Sequence, residues 1–280
     1  MIKSYKGKVV LITGGTKGIG LACGLAFASL GAQLVLTHRW GSADEQDILA
    51  QFAKTGGPVP LILEADASQP KDTKALMATV AEQFSGGENP GVDVFISNVC
   101  VVMRGDGVDN HNRRALLKSL DYSAWPFLDY MHQIHKQFGR YPEYAVAMSS
   151  DGPDSHYPGY DYVAVAKAVL ETFVRYMATH LRDENVKINA LRTRQVITDS
   201  FAQIFGEERI GLSEQFSEFA VTAEEVADTT VAMCSGMLDS LSGQVLTLDR
   251  GAAFVDNVMT LGHRLAQANQ AAPPQGEKKS

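Results

Sequence analysis

Apolar residues along the chain fall into short unbroken runs, separated by stretches in which they recur every three or four positions. The runs KVVLIT (8–13), AQLVLT (32–37), VPLILEA (59–65), VDVFISN (92–98), YAVAMSS (144–150), VKINALR (186–192) and GQVLTLD (243–249) predict strands. Most are β-branched and apolar throughout, as strands covered on both faces must be. Residues 18–30, 70–84, 113–137, 164–182 and 222–235 carry the helical period. Strands alternating with helices predict right-handed βαβ units and an α/β fold built on a doubly wound parallel sheet of about seven strands. No compositional break or internal repeat divides the chain, so residues 1–262 read as one domain. SGGENPG (85–91) is a loop, and the small, polar, proline-containing tail (263–280) is expected to be disordered.

Composition narrows the function. At 280 residues and 45% hydrophobic, the chain can bury a substantial core. A net charge of −7, with no long basic run, argues against a nucleic-acid partner. Three scattered cysteines (Cys23, Cys100, Cys234) lack C-x-x-C spacing and suit free thiols in a reducing cytoplasm. The apolar run near the start is too short for a signal peptide, and none reaches the ~18 residues of a membrane span. HQIH (132–135) sets two histidines three apart, with no acidic or cysteine partner at ligand spacing, so a solvated face is expected and no metal.

Candidate chemistry begins after the first strand. Gly14, Gly18 and Gly20 open an apolar-faced helix. Glycines allow a tight turn and close backbone approach to a pyrophosphate, and a helix N-terminus offers free N–H groups. The spacing T-G-x-x-x-G-x-G, Thr13 to Gly20, resembles the short-chain dehydrogenase/reductase family, and the resemblance runs from about residue 6 to about 252. It implies a Rossmann-type fold and a nicotinamide dinucleotide. Asp66 looks like the family's adenine-contacting residue, Asn98 in SNVC stands in its N-N-A-G motif, and Asn189 also fits. Cys100, Arg250 and the pair Thr193–Arg194 depart from the pattern. The candidate cofactor contacts are Thr13, Gly14, Thr16, Lys17, Gly18, Ile19, Gly20, His38, Arg39, Asp66, Ala67, Asn98, Lys167 and Thr198.

An NAD site wants an acid at the end of the second strand, for the ribose 2′-hydroxyl. This chain has THRW (37–40) there. Arg39, with His38 nearby, can neutralise a 2′-phosphate, and the resemblance gives Lys17 the same tendency. NADP(H) is therefore expected over NAD(H).

Family reductases use Ser, Tyr and Lys, the lysine lowering the tyrosine pKa and binding the ribose. The usual Y-x-x-x-K fails, because Val163 stands four before Lys167. At ~100° per residue, Tyr160 lies within about 20° of the Lys167 face of a helix, whereas Tyr162 lies about 140° away. The geometry favours Tyr160, provided the helix extends that far back, for which Pro158 and Gly159 mark a start nearby. The resulting Y-x6-K resembles the divergent branch containing the enoyl-acyl carrier protein reductases, in which the tyrosine bonds the thioester carbonyl. Ser150, seventeen before Lys167, matches the catalytic serine, and Asp121 falls near an Asn that supports a water relay. Arg194 either grips a phosphate or points outward. Residues 199–221, rich in Phe, Ile and Leu, are expected to form a lid suited to an acyl chain or to pack a helix pair.

The resulting expectation is an NADPH-dependent reductase of an enoyl thioester from fatty-acid or polyketide-type metabolism. Its alternatives are a carbonyl reductase on a 3-oxoacyl or polyketide substrate, and an NADP-binding sensor or assembly partner without turnover. The substrate is a small molecule, free or carried by CoA or a carrier protein. The resemblance implies a homodimer or homotetramer through the helices near 113–137 and 164–182.

Overall fold

The computed structural model describes residues 4–40, 44–86, 90–105, 107–196, 217–260 and 262–263. Seven strands form one sheet in the order β3-β2-β1-β4-β5-β6-β7, every neighbouring pair parallel. They are β1 (Val9–Ile12), β2 (Gln33–His38), β3 (Leu61–Glu64), β4 (Val94–Ser97), β5 (Tyr144–Ser150), β6 (Lys187–Thr193) and β7 (Val245–Leu248). All seven predicted strands are present. The five central ones are buried almost throughout, whereas the edge strands β3 and β7 are only partly covered.

Period-two alternation sorts the strand side chains into two cores. Val10, Ile12, Leu34, Leu36, Ile96 and Met148 face one side, where α1 (Gly18–Ser29), α2 (Glu45–Ala53) and α7 (Ala223–Met233) supply Phe27, Phe52 and Val231. Leu11, Val35, Phe95, Ala147, Ile188 and Ala190 face the other, against α3 (Pro70–Gln83), α5 (Trp125–Phe138) and α6 (Asp161–His180). Three layers result, as both-face coverage of a parallel sheet requires.

One helix expectation is corrected. Residues 113–137 form two helices, α4 (Arg113–Ser123) and α5, broken at Ala124 (φ −127°, ψ −51°). Pro126 has no N–H for the Tyr122 carbonyl and its ring crowds that carbonyl, so the first helix cannot run through it, whereas the first turn of a new helix accepts it. α7 begins on a capping box, in which Thr222 and Glu225 each bond the other's backbone N–H. A last short helix, α8 (Ala252–Val255), follows β7.

Beside β5 and β6, Glu171 on α6 is almost wholly buried and receives Arg192 of β6 in a two-pronged pair, at 2.6 and 2.7 Å. Ser149 Oγ donates to the same carboxylate at 2.7 Å, and Arg192 also reaches Asp154. The cluster fastens α6 to β5 and β6. Glu171→Ala should therefore destabilise the fold by about 2–4 kcal/mol in urea denaturation, because it leaves the half-buried Arg192 guanidinium with only the exposed Asp154 as partner; Glu171→Gln should cost less.

Candidate active site

β1 has β2 on one side and β4 on the other, so the chain's direction of winding reverses between β1 and β4. A crevice at the carboxyl ends of the strands on either side of such a reversal is where open α/β sheets bind ligands. The glycine-rich turn lies there. Thr13, fully buried, accepts on its hydroxyl from the N–H groups of Asn98 (3.0 Å) and Val99 (3.2 Å). Asn98 Nδ2 donates back to the carbonyls of Thr13 (3.1 Å) and Gly14 (3.0 Å). These two side chains thus fasten the turn to the end of β4. Gly14 and Gly18 take left-handed φ of 62° and 53°. A Cβ on Gly20 would lie 2.3 Å from the Gly14 carbonyl oxygen, so only glycine lets α1 approach the turn this closely. Lys17 is the exposed N-cap, and no side chain caps the helix.

At the end of β2, Arg39 lies between two aromatic rings, its Cζ 3.1 Å from the Trp40 centroid and 4.6 Å from that of Tyr122. Its Nε is 3.3 Å from Asp66 Oδ2, at ion-pair distance but without hydrogen-bond alignment. Burial works to raise the Asp66 pKa. Bonds from the Ser68 hydroxyl and N–H and from the Tyr122 hydroxyl, together with the Arg39 charge, outweigh it and hold the carboxyl below its usual range. Glu64, partner of His38 in the β2–β3 register, accepts from the Trp40 N–H at 3.2 Å. His38 is buried, and its Nδ1 has no hydrogen-bond partner among the described residues. Thr16 and Ala67 are buried nearby in sequence, and Ile19 is half-buried. Thr198 and residues 199–216 of the expected lid lie outside the described residues.

The two tyrosines separate cleanly. Tyr160 is the N-cap of α6, one residue before its first turn, and its hydroxyl donates to Ser150 Oγ at 3.1 Å. A Cβ on Gly152 would come within 2.6 Å of the Tyr160 ring, so that glycine makes the ring's room. Tyr162 is buried and turned toward α4, where its hydroxyl accepts from the Asn112 N–H at 2.6 Å. Tyr162 is a packing post between α4 and α6. Lys167 is buried and donates to the Met148 carbonyl at 2.7 Å. The Tyr160 pKa moves upward, against the lowering expected from Lys167. Burial is the largest cause, Cys100, Asp151 and Tyr157 add to it, and the Ser150 bond opposes it.

Arg194 does not point outward: its side chain is 13% exposed and pairs with Asp151 (Nε to Oδ2, 3.3 Å) and with Asp256. Tyr157 donates to the same Asp151 oxygen at 2.7 Å, and its ring meets that of Tyr160 edge-on at 5.8 Å. Asp121 is exposed on α4. The α4 residue that reaches the turn after β4 is Ser123, which accepts from the Val101 N–H (3.2 Å) and donates to Cys100 Sγ (3.3 Å). His156 is exposed. Sequence reading passed over Asp151, Tyr122 and Ser123, whose partners lie on other elements or at spacings no motif marks. All three cysteines are free, and no trio of His, Cys, Asp or Glu among the described residues could hold a metal. No described helix is long and apolar enough to cross a membrane.

The glycine cradle, the uncapped helix, the orphaned His38 nitrogen and the Arg39 cation together fit a dinucleotide, with Tyr160, Ser150 and Lys167 at the neighbouring strand ends. Comparisons with known proteins agree. Residues 14–253 match the family described as Enoyl-(Acyl carrier protein) reductase. The enoyl-acyl-carrier-protein reductase (NADH) FabI of Aquifex aeolicus is 26% identical over 255 residues, 88% of this chain and 91% of that protein. The 1-cyclohexenylcarbonyl-CoA reductase of Streptomyces collinus is 27% identical over 259 residues, 89% of this chain and 88% of its own. A short chain dehydrogenase from Burkholderia cenocepacia in complex with NADP shares the fold, with a TM-score of 0.76 at 21% identity over 90% of this chain and all of that one. With turn, sheet and family match in agreement, the chain is an oxidoreductase-type member of the short-chain dehydrogenase/reductase family, in its enoyl-acyl carrier protein reductase group.

Proposed function

We propose that this protein is an NADPH-dependent reductase of acyl thioesters, acting on the C=C bond of an enoyl thioester. The observation that carries the reading is the Tyr160 hydroxyl held on Ser150 at the carboxyl end of β5, with buried Lys167 seven residues on. Bound NADPH would supply the hydride from its nicotinamide ring. Tyr160 and Ser150 would present hydroxyls to the thioester carbonyl, stabilising the oxygen as negative charge develops on it. Burial keeps the phenol protonated, so it acts as a hydrogen-bond and proton donor. Lys167 would hold the ribose, Arg39 and Lys17 a 2′-phosphate. The Streptomyces relative's name describes an acyl-CoA substrate, which supports a thioester here. The Aquifex relative is named for NADH, so the choice of NADPH rests on this chain's own cations. The Ser150–Tyr160 bond equally suits protonation of a ketone oxygen, which makes a 3-oxoacyl substrate the second reading. The same reading carries a homodimer or homotetramer through α4, α5 and α6, on which Leu117, Trp125, Val165 and Tyr176 are exposed.

Crotonyl-CoA and acetoacetyl-CoA, offered separately with NADPH, test the reaction. Crotonyl-CoA should turn over, and Tyr160→Phe should lower its kcat by about 100-fold or more. Turnover of acetoacetyl-CoA alone would select the ketone reading, and NADPH binding without reduction of either would select a sensor. Arg39→Ala should raise the Kd of NADPH by roughly 10- to 100-fold and leave that of NADH within a few-fold. Because the Tyr160 pKa is raised, its proton stays on until pH climbs through that raised value. The kcat profile should accordingly run flat from neutral to about pH 9.5, below the ~10 of an ordinary phenol; an alkaline limb centred near neutrality would contradict this assignment.

A further inference from the structure

Register places Ser150 opposite Thr193, the last paired residues of β5 and β6. One step further along each chain stand Asp151 and Arg194, and they form an ion pair. Asp151 is only 7% exposed, so its charge is stable there only if it is paired. Its Oδ2 also accepts from Tyr157, and Arg194 lies within hydrogen-bonding reach of the same phenol. The Tyr157 ring then meets the edge of the Tyr160 ring, and Tyr160 returns to Ser150. The segment from Ser150 to Tyr160 is thus closed on itself by side chains, with Arg194 as the counter-charge at its centre. Asp256, just after α8, pairs with Nη2 of the same guanidinium.

Resting on the reading of Tyr160 given above, we infer that Arg194 is a positioning residue. By neutralising Asp151 it lets the 151–160 loop close, seats Tyr157 against Tyr160, and so fixes the phenol on Ser150. It touches neither cofactor nor substrate in this role. The turn after β6 and the segment after α8 become parts of the catalytic apparatus through one side chain.

The test uses the full chain labelled with [13Cζ]tyrosine, the Tyr157 and Tyr160 signals being assigned from their Tyr→Phe variants. Arg194→Met should move or broaden both signals. It should lower kcat by roughly 10- to 100-fold on whichever of crotonyl-CoA or acetoacetyl-CoA turns over, with the KM for NADPH within about twofold. The double variant Asp151→Asn/Arg194→Met removes both charges together, so it should return the Tyr160 signal toward its native position and recover most of the lost kcat. A Tyr160 signal and a kcat unchanged in Arg194→Met would overturn the proposal, as would failure of the neutral pair to restore either quantity in a chain with native circular dichroism. If the native protein reduces neither thioester but the signals respond as described, the positioning role stands and the reductase reading falls.

Discussion

Seven consecutive residue pairs, from Tyr144 with Lys187 to Ser150 with Thr193, join β5 to β6 in parallel. Register here is stiff, because a one-residue slip would move every buried side chain into the opposite core, among neighbours of the wrong size. Met148, Ala147, Ala190 and Leu191 are almost wholly buried, so such a slip is strongly opposed. The carboxyl end of the two strands, where the proposed chemistry lies, inherits that stiffness. Ser150 arrives at the strand terminus at a fixed height, Glu171 and Arg192 lock α6 against the same two strands, and Lys167 is carried in on that helix. The proposed chemistry would thus be set at the tips of strands whose spacing the core has already decided.

The nucleotide side is built differently. Here the side chains that line the crevice are occupied with one another: Thr13 with Asn98, and Arg39 with Asp66 and two aromatic rings. The first pairing is structural, since both groups spend their polar atoms on the turn. The second joins a cation expected to meet a phosphate with a carboxylate expected to meet adenine. In the NADPH reading, a 2′-phosphate would offer Arg39 a charged alternative and release Asp66 for the base, a replacement that a dinucleotide lacking it would not offer.

The sheet was legible because its central strands are buried on both faces, which leaves an unbroken apolar signature. The helices were legible wherever one face was apolar, but the run from 113 to 137 hid a break, since periodicity survives a restart while a proline at the second helical position enforces one. The two tyrosines were separable in sequence by angular arithmetic, which assumed a helix reaching back to Tyr160; the structure starts that helix at Asp161, with Tyr160 as its N-cap beside Ser150 and Tyr162 facing α4. What the chain did not disclose was pairing across distance. Arg194 and Asp256 are 62 positions apart and Tyr122 and Asp66 are 56, with no local pattern to announce either contact. The upward pKa of Tyr160 was likewise hidden, since burial is a property of the finished fold.

Gly152 carries a consequence for how relatives of this protein are found. Its missing side chain is the space into which the Tyr160 ring fits. Ring and gap are therefore sterically coupled, and a side chain at position 152 would displace the phenol. Searches keyed to tyrosine and lysine four apart pass over chains of this kind. A fingerprint joining the bare backbone position to the aromatic that occupies it would gather them.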